Sequence, residues 1–346
     1  MKGRALRGMT VRACPLFLAC MMMGQDARSE FERGAGEFRD GRYEEAEKIF
    51  EQVEAQSPGT TEALLFQGKT LIRLENFAKA EKSLRRYLRV HGDSSDALYL
   101  LGFVLHRQNQ PRESLEVYTR AAAMARPTSD DLKVVGLNYV LLNDYGDAIT
   151  WLKKAVEFDA KNQDAWYYLG RSYYTKSMLE QARTAFLKVL ELNPENARAE
   201  NNLGLILETS GQTAAALEAY RKAIAWQEKS GKASEQPYVN LGNLLMEQGE
   251  SKDALLALEK AAAIAPDNAF CRMKLGVAYR EAGRLEDGRR ELEKATQLEP
   301  NNAAMHYQLG RLYKEMHALD RAQAEFARTA ELQSRASGAQ TARPER

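Results

Sequence analysis

One short pattern in the chain could act on a phosphate group. Gly68-Lys69-Thr70 matches the end of the loop that cradles a nucleotide phosphate with backbone N–H groups and a lysine. That motif needs another glycine five residues before Gly68, and the chain has Ala63 there. The sequence also lacks HExxH, GxSxG and strand-to-helix GxGxxG patterns, so it gives no support to an enzyme.

Potential metal ligands and reactive thiols are sparse. The three cysteines are Cys14, Cys20 and Cys271, no CxxC pair occurs, and the four histidines are scattered. Zinc sites and disulfide frameworks need such residues in close, paired spacings. The sequence therefore predicts neither a metal site nor a cofactor.

The charge balance bears on the kind of partner. Lys and Arg number 49 against 48 Asp and Glu, so no overall basic field is present to attract nucleic acid. A hydrophobic content of 44% with only 9 prolines is typical of a folded, helix-rich chain. These numbers disfavour a nucleic-acid-binding protein and leave proteins or peptides as the expected partners.

A repeating set of glycines reveals how the chain is organised. Seven of the eight intervals are 34 residues, and one is 38. The set consists of Gly34, Gly68, Gly102, Gly136, Gly170, Gly204, Gly242, Gly276 and Gly310. Since glycine inside a helix costs about 1 kcal/mol relative to alanine, its recurrence predicts a site where any side chain would prevent close packing.

Two further sets keep the same period. Twelve residues after each glycine the residue is small, and sixteen residues after it the residue is large and apolar or aromatic. In the fifth repeat these positions are Gly170, Ala182 and Phe186. We expect the glycine and the small residue to lie where two helices cross, with the large residue filling the wedge beside them.

The pattern closely resembles the tetratricopeptide repeat. The resemblance is carried by the 34-residue period and, in one repeat, by Trp166, Leu169-Gly170, Tyr173, Ala182, Phe186 and Pro194. It implies an all-α fold, a right-handed superhelical solenoid of antiparallel helix pairs, and nine repeats over residues 27–336. The expected repeats are 27–60, 61–94, 95–128, 129–162, 163–196, 197–234, 235–268, 269–302 and 303–336.

Two departures from the strict period carry their own predictions. The sixth repeat has four extra residues around Gln227–Lys232, which predict either a longer second helix or a surface loop. Residues 337–346 hold little besides arginine and small or polar residues, which predicts a flexible tail.

The resemblance implies that the first helix of each repeat lines a concave groove. Residues six and three before each glycine, and one and four after it, then share one stripe. In repeats three to five this stripe is rich in tyrosine and arginine, residue types enriched at binding hot spots. The predicted binding residues there are Tyr99, Phe103, Arg107, Lys133, Tyr167, Arg171 and Tyr174, beside His106, Leu137 and Val140. Packing against the next helix is the alternative for each of them. Arg107 and Arg171 can stack on such rings or pair with acidic side chains of a ligand.

A second stretch of the groove is predicted further along the chain. Asn202, Asn240 and Asn243 are similar to the asparagine-bearing repeats of O-GlcNAc transferase, in which such residues grip a peptide backbone. Arg280, Arg311 and Lys314 follow on the same stripe and could receive carboxylates. A solvated helix face is the alternative for this group. The Lys and Asn positions of the co-chaperone carboxylate clamp are not reproduced, so a clamp of that kind is not expected.

The amino terminus predicts a compartment. Residues 1–26 combine early basic residues with an apolar run from Ala13 to Met23, too short to span a bilayer and typical of a signal peptide. The sequence therefore predicts an exported protein, periplasmic or extracellular. A lipid anchor at Cys20, a cytoplasmic leader and an organelle transit peptide are the alternatives.

The sequence as a whole predicts a non-catalytic scaffold that binds a partner segment in its groove. If the protein is exported from a bacterium, analogy suggests a role in cell-envelope assembly. The alternative is a structural or self-associating spacer whose groove holds no ligand. Because the fold serves many partners, the sequence does not identify which protein is bound.

Overall fold

The computed structural model describes residues 25–58 and 61–341, and within these ranges it contains eighteen α-helices and no strand. The all-α prediction is therefore confirmed, and the helices fit nine pairs. In chain order they are α1 (Gln25–Arg39), α2 (Tyr43–Gln56), α3 (Thr61–Arg73), α4 (Phe77–His91), α5 (Ser95–Arg107), α6 (Pro111–Met124), α7 (Ser129–Leu141), α8 (Tyr145–Phe158), α9 (Gln163–Thr175), α10 (Leu179–Leu192), α11 (Ala197–Thr209), α12 (Thr213–Ser230), α13 (Gln236–Glu247), α14 (Ser251–Ile264), α15 (Ala269–Glu281), α16 (Leu285–Leu298), α17 (Ala303–Glu315) and α18 (Leu319–Thr341).

The chain divides into two compact units, Met1–Lys176 and Ser177–Arg346. The first holds α1 to α9 and the second holds α10 to α18. Inside each unit every helix packs on its neighbours in sequence, and the first helices of successive repeats also touch. This is the solenoid arrangement, in which each repeat buries its apolar face on the next one.

The repeating glycines lie at helix crossings, as the sequence predicts. A Cβ atom on Gly136 would lie 2.7 Å from Cγ of Leu152 and 3.3 Å from the carbonyl oxygen of Ala148. The small residue thus brings the two backbones together, and the large one fills the space beside them. The same approach joins Gly34 to Phe50, Gly68 to Leu84, Gly102 to Tyr118, Gly204 to Tyr220, Gly242 to Leu258, Gly276 to Leu292 and Gly310 to Phe326. Gly170, Ala182 and Phe186 are all buried.

The turn inside each repeat places one residue in the left-handed region, always seven residues after the repeating glycine. These residues are Gly41, Glu75, Asn109, Asn143, Ser177, Gly211, Gly249, Gly283 and His317. The next residue closes the end of the first helix, as when the N–H of Asp144 donates to the carbonyl oxygen of Tyr139 at 2.9 Å. This is the Schellman type of helix end, in which a left-handed residue favours glycine or asparagine.

The four extra residues of the sixth repeat lengthen a helix. The second helix there, α12, has 18 residues, whereas α10 and α14 have 14 each. A left-handed Gly231 ends it, and the buried Gln227 side chain then holds the following loop, donating to Ser234 O at 2.9 Å and accepting from Ser234 N at 3.2 Å. The first of the two predicted alternatives, a longer second helix, is correct.

The two ends of the chain were predicted to be a signal peptide and a flexible tail. The signal peptide expected at residues 1–26, with Cys20, lies almost entirely outside the described residues, which begin at 25. At the other end α18 continues to Thr341, beyond the expected close of the ninth repeat at 336. Over residues 25–58 and 61–341, no helix combines the length and apolar character that a membrane-spanning segment requires.

Candidate functional site

A cavity of about 590 Å³ lies in the first unit, lined mainly by α5, α7 and α9, the first helices of repeats three to five. It brings together four of the binding residues predicted from the sequence, Tyr99, Phe103, Arg107 and Lys133. His106 and Leu137 also line it. The other lining residues are Leu100, Tyr118, Asp130, Asp131, Val134, Asp164 and Tyr168.

Aromatic rings held in place by the protein form one wall of this cavity. The hydroxyl of Tyr99 donates to the carbonyl oxygen of Ala125 at 2.6 Å, and its ring centroid lies 5.8 Å from that of Tyr118. Phe103 packs edge-on against Phe77 with centroids 6.4 Å apart. Because these rings already have fixed positions, a ligand that contacts them loses little side-chain freedom on binding.

The two cations of the cavity are engaged by the protein's own groups. The Arg107 guanidinium lies 4.4 Å from the centroid of Phe77 and 3.5 Å from a Glu75 carboxylate oxygen. The Lys133 ammonium is 2.7 Å from Asp130 and 4.0 Å from Asp164, and its hydrogen bond holds the pKa of Asp130 below its ordinary value. These cations are thus less available to acidic ligand side chains than the sequence suggests.

A buried chain of hydrogen bonds runs behind the cavity. Nδ1 of His106 lies 2.9 Å from Oδ1 of Asn138, whose amide donates to the Ser114 hydroxyl at 2.7 Å. That hydroxyl donates in turn to the carbonyl oxygen of Gly102 at 2.7 Å. Asn138 and Ser114 are both fully buried. The chain links three helices, α5, α6 and α7, and fixes one edge of the His106 ring.

The remaining predicted residues of the first unit lie outside the cavity. Tyr167 is only 7% exposed, with its ring edge-on to that of Tyr168 at 5.4 Å between centroids. It therefore contributes packing and little accessible surface, which corrects its assignment to an open groove wall. Arg171 is exposed and Tyr174 is half-buried on α9.

Sequence reasoning missed several residues that line the cavity. Leu100, Val134 and Tyr168 lie two residues before a repeating glycine, and this position is not one of the four that define the stripe. Asp130 and Asp164 lie in the first turns of α7 and α9, where acidic residues also stabilise a helix terminus. Their recurrence at a 34-residue spacing was the signal that could have revealed them.

In the second unit, two of the predicted asparagines hydrogen-bond to other groups of this chain. The Asn240 amide donates to Oδ1 of Asn201 at 2.9 Å, and its oxygen accepts from Gln236 at 2.9 Å. Asn240 is 7% exposed. Asn202 donates to the carbonyl oxygen of Arg198, one turn earlier in α11, and Asn243 is half-buried on α13. Asn240 is thus a packing residue rather than an exposed groove residue.

Arg280 is buried, which corrects its assignment to the surface of the groove. Only 3% of its side chain is exposed, and its guanidinium donates to Oε1 of Gln308 at 3.0 Å. It also lies 3.3 Å from Glu281 and 3.5 Å from Glu315. A guanidinium that is buried and held by three protein groups has no free edge to receive a ligand carboxylate. Arg311 and Lys314 are exposed on α17 and make no ion pair within the described residues.

The described residues offer little chemistry of other kinds. They contain no group of three or more His, Cys, Asp or Glu side chains arranged to hold a metal ion. Cys271 is buried on α15, and burial raises the pKa of its thiol to about 11. Since the thiolate is the reactive form of cysteine, this thiol is unsuited to act as a nucleophile at neutral pH.

Comparison with known proteins identifies the repeat. Models described as tetratricopeptide repeat match residues 37–102, 169–233 and 235–268, and a model described as TPR repeat matches 136–177 and 276–316. These segments together cover more than half of the chain. The chain belongs to the tetratricopeptide repeat family. The resemblance seen in the sequence is therefore confirmed.

Relatives of this TPR chain differ in setting. Anaphase-promoting complex subunit 3 of Schizosaccharomyces pombe is 24% identical over 238 residues, covering 69% of this chain and 35% of that protein. Type IV pilus assembly protein PilF of Pseudomonas aeruginosa is 31% identical over 100 residues, covering 29% of this chain and 38% of that protein. This chain thus matches little more than a third of the length of either relative.

A solved structure agrees on the fold. A tetratricopeptide repeat protein from Parabacteroides merdae matches with a TM-score of 0.59 at 20% identity, covering 73% of this chain and 98% of that one. At this level of identity the match shows the solenoid fold alone.

Proposed function

We propose that this TPR chain is a non-catalytic scaffold that binds a segment of a partner protein in the cavity between α5, α7 and α9. The observation that carries the proposal is the composition of this cavity. Fixed aromatic rings, a histidine and carboxylates converge in a space of about 590 Å³ built by three successive repeats. Ligand sites are typically concave, with apolar walls and a few placed polar groups.

The names of two relatives favour binding to other proteins. One relative is a subunit of the anaphase-promoting complex, and another is a pilus assembly protein. Both names describe proteins that work with other proteins. The buried thiol of Cys271, with its raised pKa, and the engaged arginines give no starting point for a reaction.

The likeness to PilF and the leader-like residues 1–26 together favour an exported protein that acts in cell-envelope assembly. Removal of the leader is the event that this setting requires. The intact mass of the native protein tests it. A mass that lacks about the first two dozen residues supports export, a lipid added at Cys20 indicates a membrane anchor, and retention of Lys2 and Arg4 contradicts export.

Site-specific photocrosslinking tests the binding proposal. A benzoylphenylalanine at position 103 extends the Phe103 ring by a benzoyl group and so places the reactive ketone in the cavity. The matched control carries the same residue at position 124, because Met124 is 50% exposed on α6, the second helix of the third repeat. Both proteins are expressed in the native cell and irradiated there.

A distinct partner protein that crosslinks from position 103 and not from position 124 is the expected result. Crosslinks only between copies of this chain would instead support the self-associating spacer. The same products from both positions would show that the cavity has no preferred ligand and would overturn the proposal.

A further inference from the structure

The hydrogen-bond chain behind the cavity determines which nitrogen of His106 carries a proton. The Ser114 hydroxyl has one proton, and the Gly102 carbonyl oxygen, 2.7 Å away, can only accept. Ser114 must therefore donate to Gly102 and accept from the Asn138 NH₂ group. The carbonyl end of Asn138 then faces His106, so Nδ1 of His106 is the donor. In the neutral ring Nε2 is left as an acceptor.

Nε2 of His106 is open to a ligand. It makes no hydrogen bond with any described residue, and it is not among the buried polar atoms that lack a partner. The ring itself lines the cavity. The ring is neutral near pH 7, because burial lowers the pKa of His106, and Arg107 and Lys133 lower it further against the hydrogen bond to Asn138. The cavity therefore presents a fixed lone pair.

Asp131 adds a second acceptor to the same space. Its Oδ2 receives both the backbone N–H and the hydroxyl of Thr128, at 2.8 and 2.6 Å, in a capping box at the start of α7. Its Oδ1 has no hydrogen-bond partner among the described residues, and Asp131 lines the cavity. The cap fixes the carboxylate while one oxygen remains available.

A third polar group is held in the cavity without a partner. Tyr118 is 4% exposed and lines the cavity, and its hydroxyl makes no hydrogen bond within the described parts of the chain. Burial and the nearby Asp131 raise the pKa of Tyr118 well above 10, so the hydroxyl stays neutral. The hydroxyl oxygen is not among the buried polar atoms that lack a partner, so it is open to the cavity and can accept from a ligand.

The lining of the cavity carries more negative than positive groups. Three carboxylates, Asp130, Asp131 and Asp164, oppose the two cations Arg107 and Lys133. Both cations already contact carboxylates of this chain. The lining groups without a hydrogen-bond partner among the described residues include three acceptors, Nε2 of His106, Oδ1 of Asp131 and the Tyr118 hydroxyl oxygen, and the rings of Tyr99 and Phe103 line the same cavity. A ligand group with several N–H donors, positive charge and a planar face matches all three properties.

We propose that this cavity recognises an arginine side chain of the partner segment, with Nε2 of His106, Oδ1 of Asp131 and the Tyr118 hydroxyl oxygen accepting from its guanidinium. The inference rests on the proposed function and names the chemistry of the bound segment. It differs from one of the alternatives drawn from the sequence, in which Arg107 and Arg171 pair with acidic side chains of a ligand. It also makes binding depend on pH, because a proton on Nε2 replaces the acceptor with a donor.

The pH dependence follows from the groups around the ring. These are Tyr99 and Arg107 on α5, Tyr118 on α6, Asp130, Asp131 and Lys133 on α7, and Asp164 and Tyr168 on α9. Only His106 among them changes charge just below neutrality at its ordinary pKa. Because burial lowers the pKa of His106, binding should persist at pH 7 and weaken as the pH falls below the ordinary histidine value.

Nitrogen-15 NMR of the histidine rings in the full chain tests the inference directly. His106→Gln assigns the His106 signals among the four histidines. The probes are Nα-acetyl-arginine methylamide and the lysine and glutamate analogues, each titrated at pH 7.5 and at pH 5. The expected spectrum at pH 7.5 has the proton on Nδ1, and the arginine compound alone shifts the Nε2 resonance. The response should weaken at pH 5.

Tyr118→Phe supplies a test that does not depend on folding, because the lost hydroxyl has no partner in the described structure. The arginine compound should bind this variant several-fold more weakly. Tyr220→Phe, at the matching position of α12, should bind like the parent protein. A proton on Nε2, equal responses to arginine and lysine, or unchanged binding by Tyr118→Phe would each overturn the arginine assignment. Crosslinking from position 103 would still report on the proposed function.

Discussion

Polar residues at the same position of the repeat have different surroundings in the two units. Four residues after the repeating glycine, the third repeat has His106 and the eighth has Arg280. His106 keeps one nitrogen open in a cavity, whereas Arg280 is 4% exposed and fully engaged by Gln308, Glu281 and Glu315. A polar residue in the groove register can thus serve either a ligand or the fold.

What decides between these roles is the number of partners that the protein itself supplies. Asn138, held by Ser114, binds Nδ1 of His106, and Nε2 has no partner among the described residues. Around Arg280, an amide and two carboxylates take up the donors of the guanidinium. An atom without a hydrogen-bond partner, rather than the residue type, therefore marks a binding position.

The largest expected effect is on the packing that both units share. Gly136→Leu should destabilise the first unit by about 3 kcal/mol, because even a Cβ atom there would lie 2.7 Å from Leu152. Gly36→Leu is the control, since nothing lies within 4 Å of a Cβ atom at that position of α1. Hydrogen exchange should show lost protection in α7 and α8 for the first variant only. Equal stability of the two variants would show that the crossing tolerates a side chain.

Arg280→Ala tests the contrast between the two polar residues. Removing this buried guanidinium should lower the free energy of unfolding by about 2 kcal/mol, because its partners lose their donors and its stem leaves a void. Binding of the arginine compound should not change. Arg311→Ala, on an exposed residue of α17, should alter neither property. Denaturant melts and the ligand titration decide the outcome, and a loss of binding without a loss of stability would place Arg280 in a ligand site after all.

The smallest effect concerns the turn, where the repeats have the same backbone conformation but different residues. His317 is exposed with φ of 60°, while Gly211, Gly249 and Gly283 hold the same position in the preceding repeats. His317→Gly should stabilise the protein by about 0.5–1 kcal/mol, since glycine adopts this conformation without a steric cost. Gly283→His should lose a similar amount. Thermal melts that show no difference in either direction would mean that side-chain contacts offset the backbone strain.

The fold could be predicted because its requirement is local and repeated. Gly136 must be small wherever Leu152 and Ala148 pack against it, and that requirement recurs along the chain as a visible period. The cavity could be predicted only in part. Tyr99, Phe103 and Lys133 line it from positions of the predicted stripe, and Arg107 lines it from the position next to His106.

The spacing of the repeat does not predict which polar side chains keep a hydrogen-bonding atom without a partner. Arg280 and Arg311 both belong to the predicted stripe, yet one is buried and the other exposed, because Gln308 and Glu315 reach only the first. Tyr118 belongs to the packing set on α6, and only the structure shows that its hydroxyl lacks a partner among the described residues. Such outcomes depend on where long side chains end, which the backbone period does not fix.

The buried amide of Asn138 also helps to specify which repeat packs before repeat four. Repeats of one design could in principle stack in any order, and misordered stacking is a known hazard of such chains. Asn138 is satisfied only when the preceding repeat offers both Ser114 and His106. Other repeats carry Val104, Ile206 or Leu244 at the same position. In no other repeat is the repeating glycine followed by histidine after four residues and by serine after twelve. A different neighbour of repeat four would therefore lose both native partners, and an amide left unpaired there would cost about 1–3 kcal/mol, so this single side chain favours the native order of assembly.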